Sequence, residues 1–328
     1  YNNKHILEEE LTFFKDMGGR LSTHSSLLFS RTGNDEVKFG ATFKGPRTQV
    51  RKTVGLRPNA LLLSAAAAAG IECVQPVFSF FQNDMAYCVA NAFEQEQPIL
   101  LDQFKNKTPF SKHLTSLIKY ADFGISDVKS VPANIPSDIW HQFKEQMKTQ
   151  IGADEGKLEE AFNIKNATQL QFTHTGEDSS SAGFGLDNES RGTVAALSFF
   201  SLALRQLSRP TVTLIDEIDT SLHPALVAEL VALYTDPATN PHGSQLIFTT
   251  HDVSLINQSG SSNRLLQPDQ IWLVEKDKDG ASELFPVTEL GIRKEENIGK
   301  NYLNGVYGAT SNPSFHTVFA QIMNGDDD

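Results

Sequence analysis

Asp216 and Glu217 are the residues whose types and setting point most directly to chemistry. They close the run Thr211-Val-Thr-Leu-Ile215, which is short, apolar and β-branched, the composition of a strand buried on both faces of a parallel sheet. Open α/β sheets place their ligands at the carboxyl ends of such strands. Two adjacent carboxylates there suit a division of labour in which one holds a hard divalent cation and the other polarises a water. The plain alternative is a strand end with two solvated acids.

The flanking elements must position that pair. Asp219-Thr-Ser-Leu-His-Pro224 is a tight connection, with Pro224 suited to the first turn of a helix carrying Leu226, Val227, Leu230, Val231 and Tyr234. A loop at Asp236-Pro-Ala-Thr-Asn-Pro241 leads to a second expected buried strand, Gln245 to Thr250, ending in His251-Asp252. Two parallel strands would then deliver polar groups to one edge of the sheet. Upstream, Glu189-Ser-Arg-Gly-Thr193 opens a long apolar helix, Val194 to Leu207, that stops before Pro210. Ser190 is the expected N-cap, and free backbone N–H groups with the helix dipole make such an end an anion site. Taken alone, the stretch reads equally as a capped core helix.

An apolar run closed by Asp-Glu is the Walker B pattern of P-loop nucleotidases. The helix opening, the acidic strand end, the Asp-bearing turn and the histidine occur in the order found in ATP-binding-cassette (ABC) heads. SRGTVAALSFFSLAL, LIDEIDTSLHPALVAEL, QLIFTTHD, QIWLVEKDKDGASELFPV and YLNGVYGA, with LRPNALLLSAAAAAG and YADFGISDV upstream, together resemble one group of ATPases. These are the ABC-type AAA-family ATPases of bacterial abortive-infection and restriction-linked (RloA-like) loci, relatives of RecF, SMC and the overcoming-lysogenization-defect nucleases. The resemblance implies an α/β fold, an ABC-type P-loop head with a mostly parallel sheet flanked by helices, an antiparallel β lobe and a helical insertion. It implies ATP and Mg²⁺ as cofactors, hydrolysis by head-to-head homodimers, and a role in phage defence or DNA processing, often beside a separate nuclease subunit. Carried over residue by residue, it makes Asp216 the metal residue and Glu217 the water-activating one. His251 contacts the γ-phosphate, and Asp219 belongs to the nucleotide-site turn. Ser190 and Gly192 grip the γ-phosphate of a nucleotide held by the opposite subunit. The chain departs from the family at Arg191 and Val306.

A larger departure is that no G-x-x-x-x-G-K-[ST] phosphate loop occurs in the 328 residues. Gly152-Ala-Asp-Glu-Gly156-Lys157-Leu158 has the wrong spacing and no hydroxyl, and Gly299-Lys300-Asn301 lacks the first Gly and the Ser/Thr. The expectation is that the first strand, phosphate loop and following helix precede Tyr1, and that residues 1–328 alone are inactive. The competing reading is a non-hydrolytic ABC-like scaffold that binds a nuclease or nucleic acid. A nuclease within this chain is disfavoured, because only about 75 residues follow His251, fewer than a typical domain.

In chain order, residues 1–56 are expected as the antiparallel β part of the head, 57–165 as a helical insertion, 166–290 as the ATPase core and 291–328 as a tail. HILEEELTFF, HSSLLFS and EVKFGATF read as strands, and VFSFFQNDMAYCVANAF as a buried helix. Gly176 to Gly185 reads as a polar loop, and 270–275 with 283–287 as a hairpin. The DFG triplet at 122–124 has no kinase context. Lys44, Arg47, Arg51, Lys52 and Arg57 lie in a stretch without acids, the best candidate for a DNA phosphate contact, or else a solvated basic connector. The formal charge of −12 disfavours nucleic-acid binding over the whole surface. Two cysteines, Cys73 and Cys88, make no disulfide framework, and no membrane-length apolar run occurs; both fit a cytoplasmic protein.

Overall fold

The computed structural model describes residues 5–33, 36–88, 92–121, 123–133, 137–151, 167–176, 180–257, 264–293, 295–310 and 315–324. They form two compact units, 1–86 and 87–328. The rejected Gly152–Leu158 loop, the stretch 258–263 and the acidic tail at 326–328 lie outside the described residues.

In the first unit, β1 (Glu8–Asp16), β2 (Leu21–Thr32) and β3 (Glu36–Phe39) form an antiparallel sheet in that order. The β1–β2 turn passes through Gly18 and Gly19 at φ 78° and 90°, where a side chain would be strained. Leu28, Phe29 and Val37 pack against Val50 and Val54 of the helix Arg47–Leu56 and against the Ala-rich helix Leu62–Ala68. The Glu9 carboxylate accepts from the Leu62 and Leu63 N–H groups at 2.7 and 2.9 Å, satisfying two free donors at the second helix's start. Arg31 is fully buried and donates to the carbonyls of Gly33, Ala60 and Pro58. Burial lowers its pKa, partly offset by Glu9. Within the basic stretch Arg47–Leu56 is a helix, with Lys44 and Arg57 just outside its ends. Arg47 donates to the Gly40 and Phe43 carbonyls, Arg51 to the Val37 carbonyl, and both guanidinium groups lie over the Phe39 ring. Those two arginines therefore help secure their own unit, and all five basic residues, Lys44, Arg47, Arg51, Lys52 and Arg57, are exposed.

The second unit is built on a three-stranded sheet of order β4-β8-β9. Here β4 is Met85–Cys88, across which the unit boundary falls, β8 is Val212–Ile215 and β9 is Gln245–Phe248. β8 and β9 run parallel with Ile215 opposite Phe248. The helices Arg191–Gln206 and Pro224–Thr235 share an apolar core with the sheet through Phe199, Leu202, Ile215, Ile218 and Leu230. The helix Ala92–Lys105 packs on Arg191–Gln206. Between them the buried Glu96 carboxylate accepts from Ser201 Oγ at 2.7 Å and pairs with Arg205, which keeps a buried charge from standing alone. Asn240 organises the approach to β9: its side chain donates to the Tyr234 and Ser244 carbonyls and accepts from the Ser244 N–H, all at 2.8 Å.

A second, antiparallel sheet of β5 (Ile125–Pro132), β6 (Thr168–Thr175) and β7 (Ser181–Gly185) lies ahead of the helix Arg191–Gln206 in the chain. The hairpin β10 (Trp272–Lys276) and β11 (Ser282–Pro286) closes over Ile298 and Tyr307. There Glu296 accepts from Tyr307 Oη at 2.8 Å, from Asn301 and from the Arg293 N–H, and these bonds hold its carboxyl below the usual range. Among the described residues no helix is long and apolar enough to cross a membrane.

Three expectations are corrected. VFSFFQNDMAYCVANAF is not one helix: the helix Gln75–Ser79 passes into a wider turn at Phe80–Asp84, and Met85–Cys88 is a strand. A short apolar run fits helix or strand equally, and pairing with β8 decides it. Part of the expected polar loop, Ser181–Gly185, is a strand because β6 offers it a partner in register. β9 is not buried on both faces; it is a sheet edge with Ile247 56% exposed. The helix Arg191–Gln206, the N1 proline of Pro224–Thr235 and the β10–β11 hairpin are found where expected.

Cys88 is buried, and burial, reinforced by Glu96 and partly opposed by Arg205, pushes its thiol up to about 11. At pH 8 only on the order of 0.1% of such a thiol is thiolate. Iodoacetamide should therefore label the half-buried Cys73 well ahead of Cys88 in the native protein, with Cys88 reacting only on unfolding. Equal native-state labelling rates, read by peptide mass, would contradict this packing.

Candidate functional site

β8 buries Thr213 and Ile215, and its next residues, Asp216 and Glu217, are exposed. The chain is pulled back at once, because Ile218 is buried and its N–H donates to the Thr249 carbonyl at 3.0 Å. Leaving and re-entering the core within two residues forces a sharp turn. Glu217 takes it up with a left-handed backbone, φ 53°, and Ser221 follows at φ 65°. A non-glycine residue in that region costs on the order of 1 kcal/mol and persists only where its surroundings hold it.

They do hold it. The parallel register that sets Ile215 opposite Phe248 brings Thr249 beside Asp216 one residue further on. Thr249 Oγ1 donates to Asp216 Oδ1 at 2.6 Å and accepts the Glu217 N–H at 2.8 Å. The Asp216 N–H is taken by the Cys88 carbonyl at 3.0 Å. Thr220 Oγ1 lies 3.3 Å from Glu217 Oε2, and the Thr220 N–H donates to the Glu217 carbonyl. Asp219 is tied across the same edge, accepting at Oδ1 from Thr250 Oγ1 at 2.7 Å and from the His251 N–H at 3.3 Å. The His251 side chain is exposed beside this turn, while Asp252 caps the next short helix through the Ser254 N–H.

The helix opening joins this turn through Gly192. A Cβ at that position would meet the Ser221 carbonyl oxygen at 2.9 Å, so only glycine allows the two backbones to approach this closely. Ser190 caps the helix, its Oγ accepting the Thr193 N–H at 3.0 Å and lying 2.9 Å from Thr193 Oγ1. Of the residues singled out in the sequence, Asp216, Glu217, Asp219 and the His251 backbone thus share one bonded edge. Gly192 packs against the turn that follows them.

Three contacts have no counterpart in the sequence reading. Thr249 and Thr250, beside His251, bond Asp216 and Asp219, and two hydroxyls at a strand end next to acids are a usable signal once the strand register is known. His174 Nε2 lies 2.8 Å from Glu189 Oε1, directly before the cap Ser190, with His174 edge-on to Phe184 at 5.2 Å. Nothing in the sequence alone pairs residues 174 and 189.

Among the described residues no three His, Cys, Asp or Glu side chains group into a metal cage. The exposed carboxylates of Asp216 and Glu217 instead fit Mg²⁺ in its usual protein setting, where one or two carboxylates complement waters and substrate phosphates.

No match was found among curated proteins. The mixed α/β architecture with a parallel β8–β9 pair is compatible with a P-loop nucleotidase fold. Residues 98–257, just under half the chain, match the family model described as "AAA domain, putative AbiEii toxin, Type IV TA system", a segment that contains Ser190, Asp216, Glu217 and His251 and supports kinship with AAA-type P-loop ATPases and nucleotide binding.

Proposed function

We propose that this chain is the catalytic part of an ABC-type ATPase subunit that dimerises around ATP and drives a phage-defence or DNA-processing complex. The observation that carries the reading is the carboxylate pair at the end of β8, held in a left-handed turn by Thr249, the residue that follows the neighbouring parallel strand. Asp216 is assigned to Mg²⁺, which when bound neutralises phosphate charge. Glu217 orients the attacking water and takes its proton, and His251 faces the γ-phosphate. The Ser190–Gly192 helix end serves the nucleotide of the opposite subunit, consistent with its place beside the turn at Ser221. A separate nuclease is the proposed partner, and Lys44, Arg47, Arg51, Lys52 and Arg57, all exposed, are the proposed contacts to a DNA backbone.

This reading requires a phosphate cradle from outside residues 1–328, whose sequence contains none. That absence also sustains the second reading, a scaffold that binds without turnover. Calorimetric titration with Mg-ATP tests the requirement. Residues 1–328 alone should bind poorly, because the cradle's N–H groups and Lys make most contacts to the β- and γ-phosphates. The same residues supplied with such a cradle should bind at micromolar level. Micromolar binding by residues 1–328 would show that the nucleotide sits elsewhere.

A further inference from the structure

The hydroxyl of Thr249 carries one proton, and the geometry fixes where it goes. An N–H can only donate, so the Glu217 N–H at 2.8 Å occupies a lone pair of Oγ1. The proton then points to Asp216 Oδ1, 2.6 Å away, a separation typical of a hydroxyl donating to a carboxylate. The residue itself has little freedom. Its N–H donates to the Ile215 carbonyl and its carbonyl accepts the Ile218 N–H, both at 3.0 Å, and a β-branched side chain is stiff at χ1. Thr249 is therefore anchored by main chain on both sides of the acid pair, while its single oxygen bonds both members of that pair. Its position is exposed, so water can replace the lost bonds in a variant without leaving a buried group unsatisfied. The loss then falls on orientation more than on stability.

We propose that Thr249 is the positioning residue of the acid pair: it sets the orientation of the Asp216 carboxylate toward a divalent cation and holds the Glu217 backbone in its left-handed turn. This rests on the proposed function and adds a residue to it. The segment that follows β9 thereby serves the site twice, orienting the acids through Thr249 and presenting His251 two residues later.

The test uses the gene-length protein with Mn²⁺ in place of Mg²⁺ and a non-hydrolysable ATP analogue, reading bound Mn²⁺ by electron paramagnetic resonance. Thr249→Val keeps shape and removes the hydroxyl. It should weaken Mn²⁺ binding by about 10-fold or more, the usual effect of losing a group that orients a metal ligand. Thr249→Ser should stay within about twofold of wild type, because the hydroxyl is retained. Turnover should fall with the same ranking, while thermal midpoints of all variants remain close. Thr249→Ala serves as the hydroxyl-free variant if the valine protein does not fold. Wild-type Mn²⁺ affinity in the valine or alanine variant, or equal loss in the serine one, overturns the proposal. Asp216→Ala, measured alongside, separates the two levels. If it too binds Mn²⁺ normally, the site reading has failed. If it is impaired while Thr249→Val is not, only the role of Thr249 has failed.

Discussion

Glu217→Gln in the gene-length protein should retain ATP and lose turnover by on the order of 10²-fold or more, the scale of a positioned general base. The amide matches the carboxylate in size and keeps an oxygen near Thr220 Oγ1, which lies 3.3 Å from Glu217 Oε2 in the native turn. The backbone bond from the Glu217 N–H to Thr249 Oγ1 does not involve the side chain and survives the change. What disappears is the capacity to accept a proton from water. The variant should therefore accumulate as a nucleotide-loaded dimer. Phosphate release at the wild-type rate would remove Glu217 from the chemistry and leave it as a solvated acid at a strand end.

Ser190→Arg should abolish ATP-dependent dimerisation while the monomer stays folded. Removing the cap forfeits the bond from the Thr193 N–H, which costs about 1 kcal/mol and is tolerable for a domain of this size. The helix behind it is secured independently, with Ala196, Leu197, Phe199, Phe200 and Leu202 buried. The arginine instead fills the exposed space in front of the helix end, where the opposite subunit's nucleotide is proposed to lie. Because ligand binding at that end is linked to association, losing it should leave the protein monomeric at any nucleotide concentration. Sedimentation velocity with and without Mg-ATP reads this directly. Unimpaired ATP-dependent dimers of the variant would mean that the helix end faces no nucleotide.

What was legible in the sequence was local. Ser190 as a cap, Pro224 at a helix start and the turn between β10 and β11 each follow from a residue whose backbone preference or side-chain hydrogen bond acts within a few positions. The end of β8 was legible because a β-branched run stops abruptly at Asp216-Glu217, but many buried strands end in an acid, and only the order of the neighbouring motifs singled this pair out. What was hidden depends on pairing between distant segments. Met85–Cys88 and Ser181–Gly185 become strands because β8 and β6 lie beside them, and neither run is long enough to declare itself. Ile247 has the composition of a core strand, yet lies on a sheet edge. Thr249 was hidden for the same reason: its link to Asp216 exists only in one register of β8 against β9. The pairing of His174 with Glu189 likewise needs β6 folded against the helix entrance.

The proposed arrangement is a composite site, with acids from one subunit and the Ser190 helix end from the other. Mixing Ser190→Arg subunits with Glu217→Gln subunits measures it most directly. In a mixed dimer one site would carry both lesions and the other neither, since the two changes would fall together on one nucleotide. Phosphate release should return in the mixture to a substantial fraction of the wild-type rate, while each parent alone stays near background. A mixture in which mixed dimers form, as shown by fluorescence transfer between labelled subunits, but release stays at the level of the parents would contradict the composite site.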